Sequence, residues 1–455
     1  GKEAAMIRVP RDFKPLLEDL SASFRRPQTA RRLILFFAAA IVVVGDRTVS
    51  AVIRLLAIFE PVNPSTYHRL FSHRRWSSRS LGRVIARFVI DRFCPDGIIR
   101  VCGDETVDGH RGKKVYGKAR HRDAVRSSHS HTVYRYGHKW VVLAVLVDLP
   151  YTSRPMALPL LVALYRDRKT NQSEGRAHKT PAELMAGLLA MLMHWFPERK
   201  FIFAGDNAYG NHAMARFAYR HRNRMTLVSK IVPDANLFEP PPKRRRKAVG
   251  RPRVKGKSMP APCEVVAAKK RGKKVRVRWY GGGWRNVEVI TGTGGWFKSG
   301  KGLVPIRWVF VRDLDGTHRD EYFFTTDQSM TPCQVIEMYG GRWNIETTFQ
   351  ELRAHLGLET TRGWSKLTVL RMAPSLILLY TIVVTFYDTM PASSSHLRFR
   401  SWQGKESITF SDMIISVRHH LWLEWVFEQT PGGATVRKLP GPIRTLLDFG
   451  LTQAA

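Results

Sequence analysis

Between residues 98 and 228, short apolar segments surround one amphipathic helix, and this order constrains the fold more than any other feature. The predicted strands are Ile98–Cys102, Lys139–Val147, Met156–Leu164, Phe201–Ala204 and Met225–Val228. The helix begins at Thr180–Glu183, a capping box with proline at the first helical position, and runs to Trp195. Three strands, a helix and a further strand are typical of a mixed sheet covered by helices. We therefore expect an α/β fold.

Residues 1–95 are predicted to be helical. An apolar helix over Leu33–Val44 is followed by a second with apolar residues at helical spacing from Val49 to Phe59. The segment after Ser65 is rich in Ser, Thr, Tyr, His and Arg. Two short helices, a turn and a polar third helix indicate a helix-turn-helix-like DNA-binding domain. An ordinary basic helical bundle explains the same pattern, so both interpretations stay open.

A strongly basic segment follows the predicted sheet. Lys243–Arg278 contains sixteen Lys or Arg residues and one acid, Glu264. Within it, Gly250–Arg253 is similar to the core of an AT-hook, in which Arg251 and Arg253 on either side of a proline fit an A·T-rich minor groove. A solvated linker that contacts phosphates is the alternative.

The second half of the chain returns first to strands and then to helices. The segments with β character are Val275–Tyr280, Trp284–Ile290, Leu303–Val311 and Glu321–Thr325. They predict a small antiparallel sheet inserted into the main domain. The expected organisation is a first part of the α/β core over 96–230, a basic linker and β-insertion over 231–328, a second part of that core over 329–390, and C-terminal helices over 391–455.

Charge is the strongest compositional signal. The 74 Lys and Arg residues against 37 Asp and Glu give a net charge of +37, distributed along the whole chain. Such a surface attracts polyanions, and DNA is the expected partner. The four cysteines form no CxxC pair, and the longest apolar runs are shorter than a membrane span. With no signal peptide at its start, the chain is expected to be cytoplasmic, in a bacterium, and associated with the nucleoid.

Three acids have positions suited to phosphodiester chemistry. Asp104 follows the first predicted strand, Asp206 follows the fourth, and Glu346 lies on a predicted helix. Two divalent cations can align the attacking and leaving oxygens of a phosphodiester, and Mg²⁺ and Mn²⁺ prefer carboxylate oxygens. Tyr339, Arg342, Glu346 and Arg353 share one face if the helix is continuous, although Gly340 and Gly341 can interrupt it.

These residues resemble a known family. The motifs are Asp104–Thr106, Asp206–Tyr209, and Tyr339-x2-Arg342-x3-Glu346-x6-Arg353. They are similar to the DDE transposases of bacterial insertion sequences, in particular to the group with the Y-x2-R-x3-E-x6-K signature and a β-insertion between the second and third acids. This chain has Arg353 where that group usually has Lys, and the two side chains are not equivalent donors. The resemblance covers roughly residues 97–390.

The resemblance implies an RNase H-like core and cut-and-paste movement of a DNA element. It implies that Asp104, Asp206 and Glu346 are catalytic and bind two Mg²⁺ or Mn²⁺ ions, and that Tyr339, Arg342 and Arg353 contact phosphates near the cleaved end. Two transposon ends must be paired, so a homodimer is expected on DNA.

Relatives often cut the second strand through a DNA hairpin, with an aromatic residue of the β-insertion stacked on a flipped base. Tyr322 is the expected residue here, with Trp296 and Trp308 as alternatives. Two other functions compete with a transposase: an RNase H-like nuclease without strand transfer, and a domesticated, non-catalytic DNA-binding regulator.

Overall fold

The computed structural model describes residues 7–58, 62–122, 131–243, 250–269, 271–279, 283–391, 404–430 and 433–451. Part of the predicted basic linker (244–249) and part of the predicted C-terminal region (392–403) lie outside the described residues. The fold is mixed α/β, as predicted, with a large mixed sheet and helices at both ends of the chain.

The N-terminal part of the chain is helical, as predicted. A 3₁₀ turn (Arg11–Phe13) precedes α1 (Lys14–Ala22), α2 (Pro27–Val42), α3 (Val49–Leu56), α4 (Pro64–Ser72) and α5 (Ser78–Phe93). Gly82 allows α5 to lie close to the sheet, because a Cβ there would be 2.4 Å from the carbonyl oxygen of Leu160. These helices share one hydrophobic core with the sheet. The helix-turn-helix interpretation stays a prediction.

The central sheet has the strand order of an RNase H-like core. Its elements are β1 (Ile99–Gly109), β2 (Ala119–Arg122), β3 (Tyr134–Val147), β4 (Met156–Tyr165), α6 (Arg168–Ser173), α7 (Pro181–Trp195), β5 (Phe201–Gly205), α8 (His212–Arg220) and β6 (Met225–Lys230). Strands β4, β3 and β1 are antiparallel neighbours, and β5 and β6 continue the sheet parallel to β1. Strand β2 pairs with the beginning of β3, beside β4.

The predicted β-insertion is antiparallel but is continuous with the central sheet. It contains β7 (Leu237–Phe238), α9 (Pro262–Ala268), β8 (Lys273–Arg278), β9 (Trp284–Lys298), β10 (Gly302–Asp313) and β11 (Glu321–Thr325). Strand β11 pairs with β6 through Phe323–Thr325, and β10 and β9 follow in order. One sheet therefore runs from the catalytic strands into the insertion.

The C-terminal part is helical. It contains α10 (Pro332–Gly341), α11 (Asn344–Leu356), a 3₁₀ turn (Leu358–Thr360), α12 (Lys366–Thr389), α13 (Phe410–Leu421), a π turn (Trp422–Val426), α14 (Phe427–Gln429), a second 3₁₀ turn (Gly433–Lys438) and α15 (Gly441–Leu451). Arg371 on α12 donates to the carbonyl oxygens of Phe71 (2.9 Å) and Trp76 (3.1 Å) and so ties α12 to α4.

Helix α12 is long and apolar enough to cross a membrane by length and composition. Inside the protein, 83% of its most apolar stretch is buried, where it packs against β4, α5 and α13. The apolar run Ala373–Tyr387 therefore belongs to a helix of the protein's core.

Candidate active site

Asp104 lies in the middle of a strand, not at its end. Strand β1 continues five residues beyond it to Gly109, paired with β3 throughout. The strand is longer than predicted because its later polar residues are satisfied inside the fold: buried Asp108 accepts hydrogen bonds from the Trp140 indole (3.1 Å) and the His138 backbone (3.0 Å). Asp104 is thus held by a strand that is hydrogen-bonded on both sides.

Asp206 and Glu346 are held by neighbouring elements. Asp206 directly follows β5, the parallel partner of β1, and its Oδ1 accepts a hydrogen bond from the Ala208 backbone at 2.9 Å. Glu346 is in the first turn of α11. The helix that the sequence suggested is broken at Arg342 and Trp343, between α10 and α11. The interruption therefore comes just after the predicted position, because Gly340 and Gly341 are the last two residues of α10.

Arg342 connects the first and third acids. Its Nη1 donates to Asp104 Oδ2 at 2.9 Å and to Glu346 Oε1 at 3.3 Å, and its side chain is only 5% exposed. Arg342 Nε is buried and has no hydrogen-bond partner among the described residues. The sequence predicted this arginine as a phosphate contact, and its position between two acids was not foreseen.

The three acids influence each other electrostatically. Burial raises the pKa of Asp104 to about 7; Arg342 opposes this shift, while Asp206 and Glu346 add to it. Burial also raises the pKa of Glu346, against the effect of Arg342 and with a contribution from Asp206. The pKa of Arg342 lies above its usual value because Asp104, Tyr339 and Glu346 outweigh the opposing effect of burial. Asp104 and Glu346 therefore share one arginine, and Asp206 lies near enough to raise the pKa of both acids.

Arg353 joins α11 to β1. Its Nε donates to Glu359 at 3.0 Å, and its Nη2 donates to the Thr106 hydroxyl, two residues beyond Asp104. Tyr339 is buried against the ring of Phe323, with ring centres 4.4 Å apart. The phosphate contacts expected of Tyr339, Arg342 and Arg353 stay predictions.

Glu105 faces the opposite side of the sheet from Asp104. Its carboxylate accepts a hydrogen bond from Tyr209 at 3.3 Å and forms an ion pair with Lys139 at 2.5 Å. The Tyr209 side chain is fully buried. A strand alternates its side chains, which places Glu105 away from Asp104. The contacts of Glu105 with Tyr209 and Lys139 were not foreseen from the sequence.

The residues of the insertion that were predicted to contact DNA lie on strands other than those that hold Asp104 and Asp206. Tyr322 on β11 is half-buried beside Phe310, with ring centres 5.0 Å apart. Strand β11 is three strands from β1 in the sheet order, which corresponds to about 14 Å. Trp308 is buried, and Trp296 is half-buried. Their predicted role in base stacking stays untested.

Arg251 and Arg253, the arginines of the AT-hook-like segment, are both exposed. They lie in the loop between β7 and α9, beyond the edge of the sheet that is farthest from β3. Groove recognition by these two residues stays a prediction.

The three acids have side chains of the kind that bind a divalent cation. Asp104, Asp206 and Glu346 offer only carboxylate oxygens, which Mg²⁺ and Mn²⁺ prefer. In the described part of the chain, no three Asp, Glu, His or Cys side chains are close enough together to enclose a metal ion as they stand. The guanidinium of Arg342 supplies the positive charge between Asp104 and Glu346.

Two family models and one solved structure are similar to the chain. The model of a family described as "DDE superfamily endonuclease" matches residues 19–286, and that of a family described as "Archaeal putative transposase ISC1217" matches residues 294–398. No curated protein matches the chain. A cryo-EM structure of the piggyBac transposase synaptic complex with hairpin DNA is similar over 97% of this chain and 81% of that chain, with 12% identity and a TM-score of 0.43.

Proposed function

The chain belongs to the DDE superfamily of endonucleases, and from that premise we propose that it is a DNA transposase that cuts DNA at the ends of a mobile element and joins the freed ends to target DNA. One observation carries the proposal: acids from a central strand and a helix, Asp104 and Glu346, share a buried arginine beside Asp206. A purely structural ion pair needs only one of these acids.

The protein's own residues would prepare the site for a phosphodiester. Asp104, Asp206 and Glu346 are the residues that would hold two Mg²⁺ or Mn²⁺ ions. Such ions supply a Lewis acid and a bound water of lowered pKa. Arg342 neutralises two of these acids through its Nη1. Its Nε is buried and has no hydrogen-bond partner among the described residues. Arg353 holds α11 at a fixed position along β1.

The proposed reaction has two stages. Water first hydrolyses the phosphodiester at the end of the element and leaves a 3′-hydroxyl. That hydroxyl oxygen then bonds to a phosphorus of the target DNA while the target's own P–O3′ bond breaks, so no ATP is required. We propose cut-and-paste movement within the Y-x2-R-x3-E-x6-K group, with a hairpin intermediate whose flipped base stacks on Tyr322.

The partners proposed are double-stranded DNA and a second copy of the chain. The net charge of +37 favours binding to DNA phosphates, and pairing of two ends requires a dimer in the DNA complex. We propose that the protein is cytoplasmic and associated with the nucleoid.

The test is Mg²⁺-dependent cleavage of the DNA that flanks the native gene. Glu346→Gln should abolish cleavage because it removes a metal-binding carboxylate and keeps the size of the side chain. Glu351→Gln is the matched control on the same helix, since Glu351 faces Tyr380 (2.6 Å) and Arg154 (3.4 Å) instead of Asp104. Cleavage by the Glu346→Gln variant at the wild-type rate would refute the triad.

A second assay separates a transposase from the two competing functions. A DNA end that is already cut and carries a free 3′-hydroxyl is incubated with supercoiled target DNA. A transposase joins the two molecules, a nuclease only degrades them, and a non-catalytic regulator does neither.

A further inference from the structure

A second surface suited to binding nucleic acid lies at the beginning of β3, where this strand pairs with β2. We call it the tyrosine ribbon, defined as Lys118, Arg120, Arg122, Tyr134 and Tyr136. Its two tyrosines are 50% and 60% exposed, although large aromatic side chains are usually well buried. The guanidinium carbon of Arg120 lies 3.9 Å from the centre of the Tyr134 ring, and Lys118 Nζ lies 5.8 Å from that of Tyr136.

Strand register places the tyrosine ribbon on the same face of the sheet as the candidate active site. Asp104 is paired with Val142, and Tyr136 lies six residues before Val142 on β3. An even number of residues keeps side chains on one face, and directly paired residues share that face. Arg120 is paired with Tyr136 and follows the same rule. Six residues correspond to about 20 Å, or about six phosphates along one strand of a duplex.

The opposite face of this ribbon is covered. His121 is 5% exposed and packs against Tyr165, with ring centres 6.0 Å apart. One accessible face with two exposed aromatic rings beside cations is sufficient for a platform of stacked bases. The geometry therefore favours unpaired bases.

The surface between the active site and the ribbon is also basic. A cavity of about 610 Å³ lies there, lined by four cations, Arg111, Lys118, Arg135 and Arg362, and by two acids, Asp46 and Glu359. His110 also lines it, and both of its ring nitrogens are buried without a partner among the described residues. The lining of this cavity therefore carries more positive than negative charge next to Lys118 and Tyr136 of the ribbon.

We propose that the tyrosine ribbon binds an unpaired DNA strand, with bases stacked on Tyr134 and Tyr136 and phosphates contacted by Lys118, Arg120 and Arg122. Aromatic platforms combined with Arg and Lys bind single strands with little sequence preference. That the strand is DNA, next to a cleavage position, rests on the proposed function.

The test measures binding by the full chain in EDTA, where metal-dependent cleavage is suppressed. The probes are a fluorescent oligo(dT) of about 12 nucleotides and a duplex of equal length, followed by anisotropy at one fixed salt concentration. The variants are Tyr134→Ala/Tyr136→Ala and Tyr134→Phe/Tyr136→Phe. Trp284→Ala is the matched control, because Trp284 is 52% exposed and lies near Arg276 and Arg278 at the other end of the sheet.

The alanine pair should weaken oligo(dT) binding by about tenfold or more while duplex affinity stays unchanged. The phenylalanine pair and Trp284→Ala should bind as the wild type does, and all variants should keep the wild-type melting temperature. An equal loss of affinity for both probes would identify a duplex contact and overturn the proposal. Unchanged oligo(dT) binding by the alanine pair, or no oligo(dT) binding by the wild type, would also overturn it. Because cleavage is not required, failure of the Glu346 test leaves this result standing, and the reverse holds.

Discussion

Replacement of Arg342 by glutamine should lower the free energy of unfolding by about 3–5 kcal/mol, the usual cost of removing one partner from a buried ion pair. The variant leaves Asp104 and Glu346 without their shared cation. At an effective dielectric constant of about 20, unit charges about 4 Å apart interact by about 4 kcal/mol. The Glu346 side chain is 33% exposed and contributes less, so most of the loss comes from Asp104, which is 16% exposed.

A double-mutant cycle isolates this interaction. Chemical denaturation in EDTA is measured for the wild type, Arg342→Gln, Asp104→Asn and the double variant. We expect a coupling energy of about 2 kcal/mol, because Asp104→Asn removes the carboxylate that Arg342→Gln leaves unpaired. The control is Arg312→Gln, since the ion pair of Arg312 with Asp320 is 47% and 44% exposed and should contribute less than about 1 kcal/mol. If Arg342→Gln costs no more than this control, or if the cycle shows no coupling, Arg342 does not hold the acids together.

Three further predictions concern stability. Arg353→Lys should lower the melting temperature, because an ammonium cannot bridge Glu359 and β1 as the guanidinium does; a wild-type melting curve would contradict this. Burial lowers the pKa of His121 from 6.5 to about 4. As the pH falls, the unfolded chain therefore takes up this proton before the folded protein does. The free energy of unfolding decreases by up to roughly 3 kcal/mol as the pH falls from 6.5 to about 4. His121→Phe should remove that part of the pH dependence in denaturation curves. Gly137→Ala should prevent folding, because its Cβ would lie 1.7 Å from a backbone oxygen of β1, whereas Gly187→Ala on α7 meets open space and should be neutral or slightly stabilising in solubility and melting assays.

Local chemistry made part of the site predictable. The helix start at Thr180 and the one at Thr331 both form the capping boxes that their sequences predict. Asp206 follows an apolar strand that is short and clear in the sequence, and the four-residue spacing of Arg342 and Glu346 is retained as a 3.3 Å contact. These features depend on residues close together in the chain, where periodicity is informative.

Long-range pairing was not predictable from these patterns. The full length of β1 depends on β3, which begins 25 residues after β1 ends, and the contact of Arg342 with Asp104 spans 238 residues. The first residues of β3, from Tyr134 to Gly137, lack the apolar alternation of a strand, and they pair with the short, polar strand β2. The union of the insertion with the central sheet depends on the pairing of β6 with β11, which no single segment encodes.

The pairing of β6 with β11 is the junction between the central sheet and the insertion. Among the described residues, three register pairs join β6 to β11: Val228 with Thr325, Ser229 with Phe324 and Lys230 with Phe323. Backbone hydrogen bonds from Ile231 to Tyr322 and from Thr326 to Leu227 flank them. An insertion linked only by loops would pivot without cost, whereas this one shares hydrogen bonds with the strand next to β5. A movement that carries Tyr322 towards Asp104 must either twist the whole sheet or break those three pairs. An engineered disulfide between β6 and β11 would prevent the second movement and would leave the first possible.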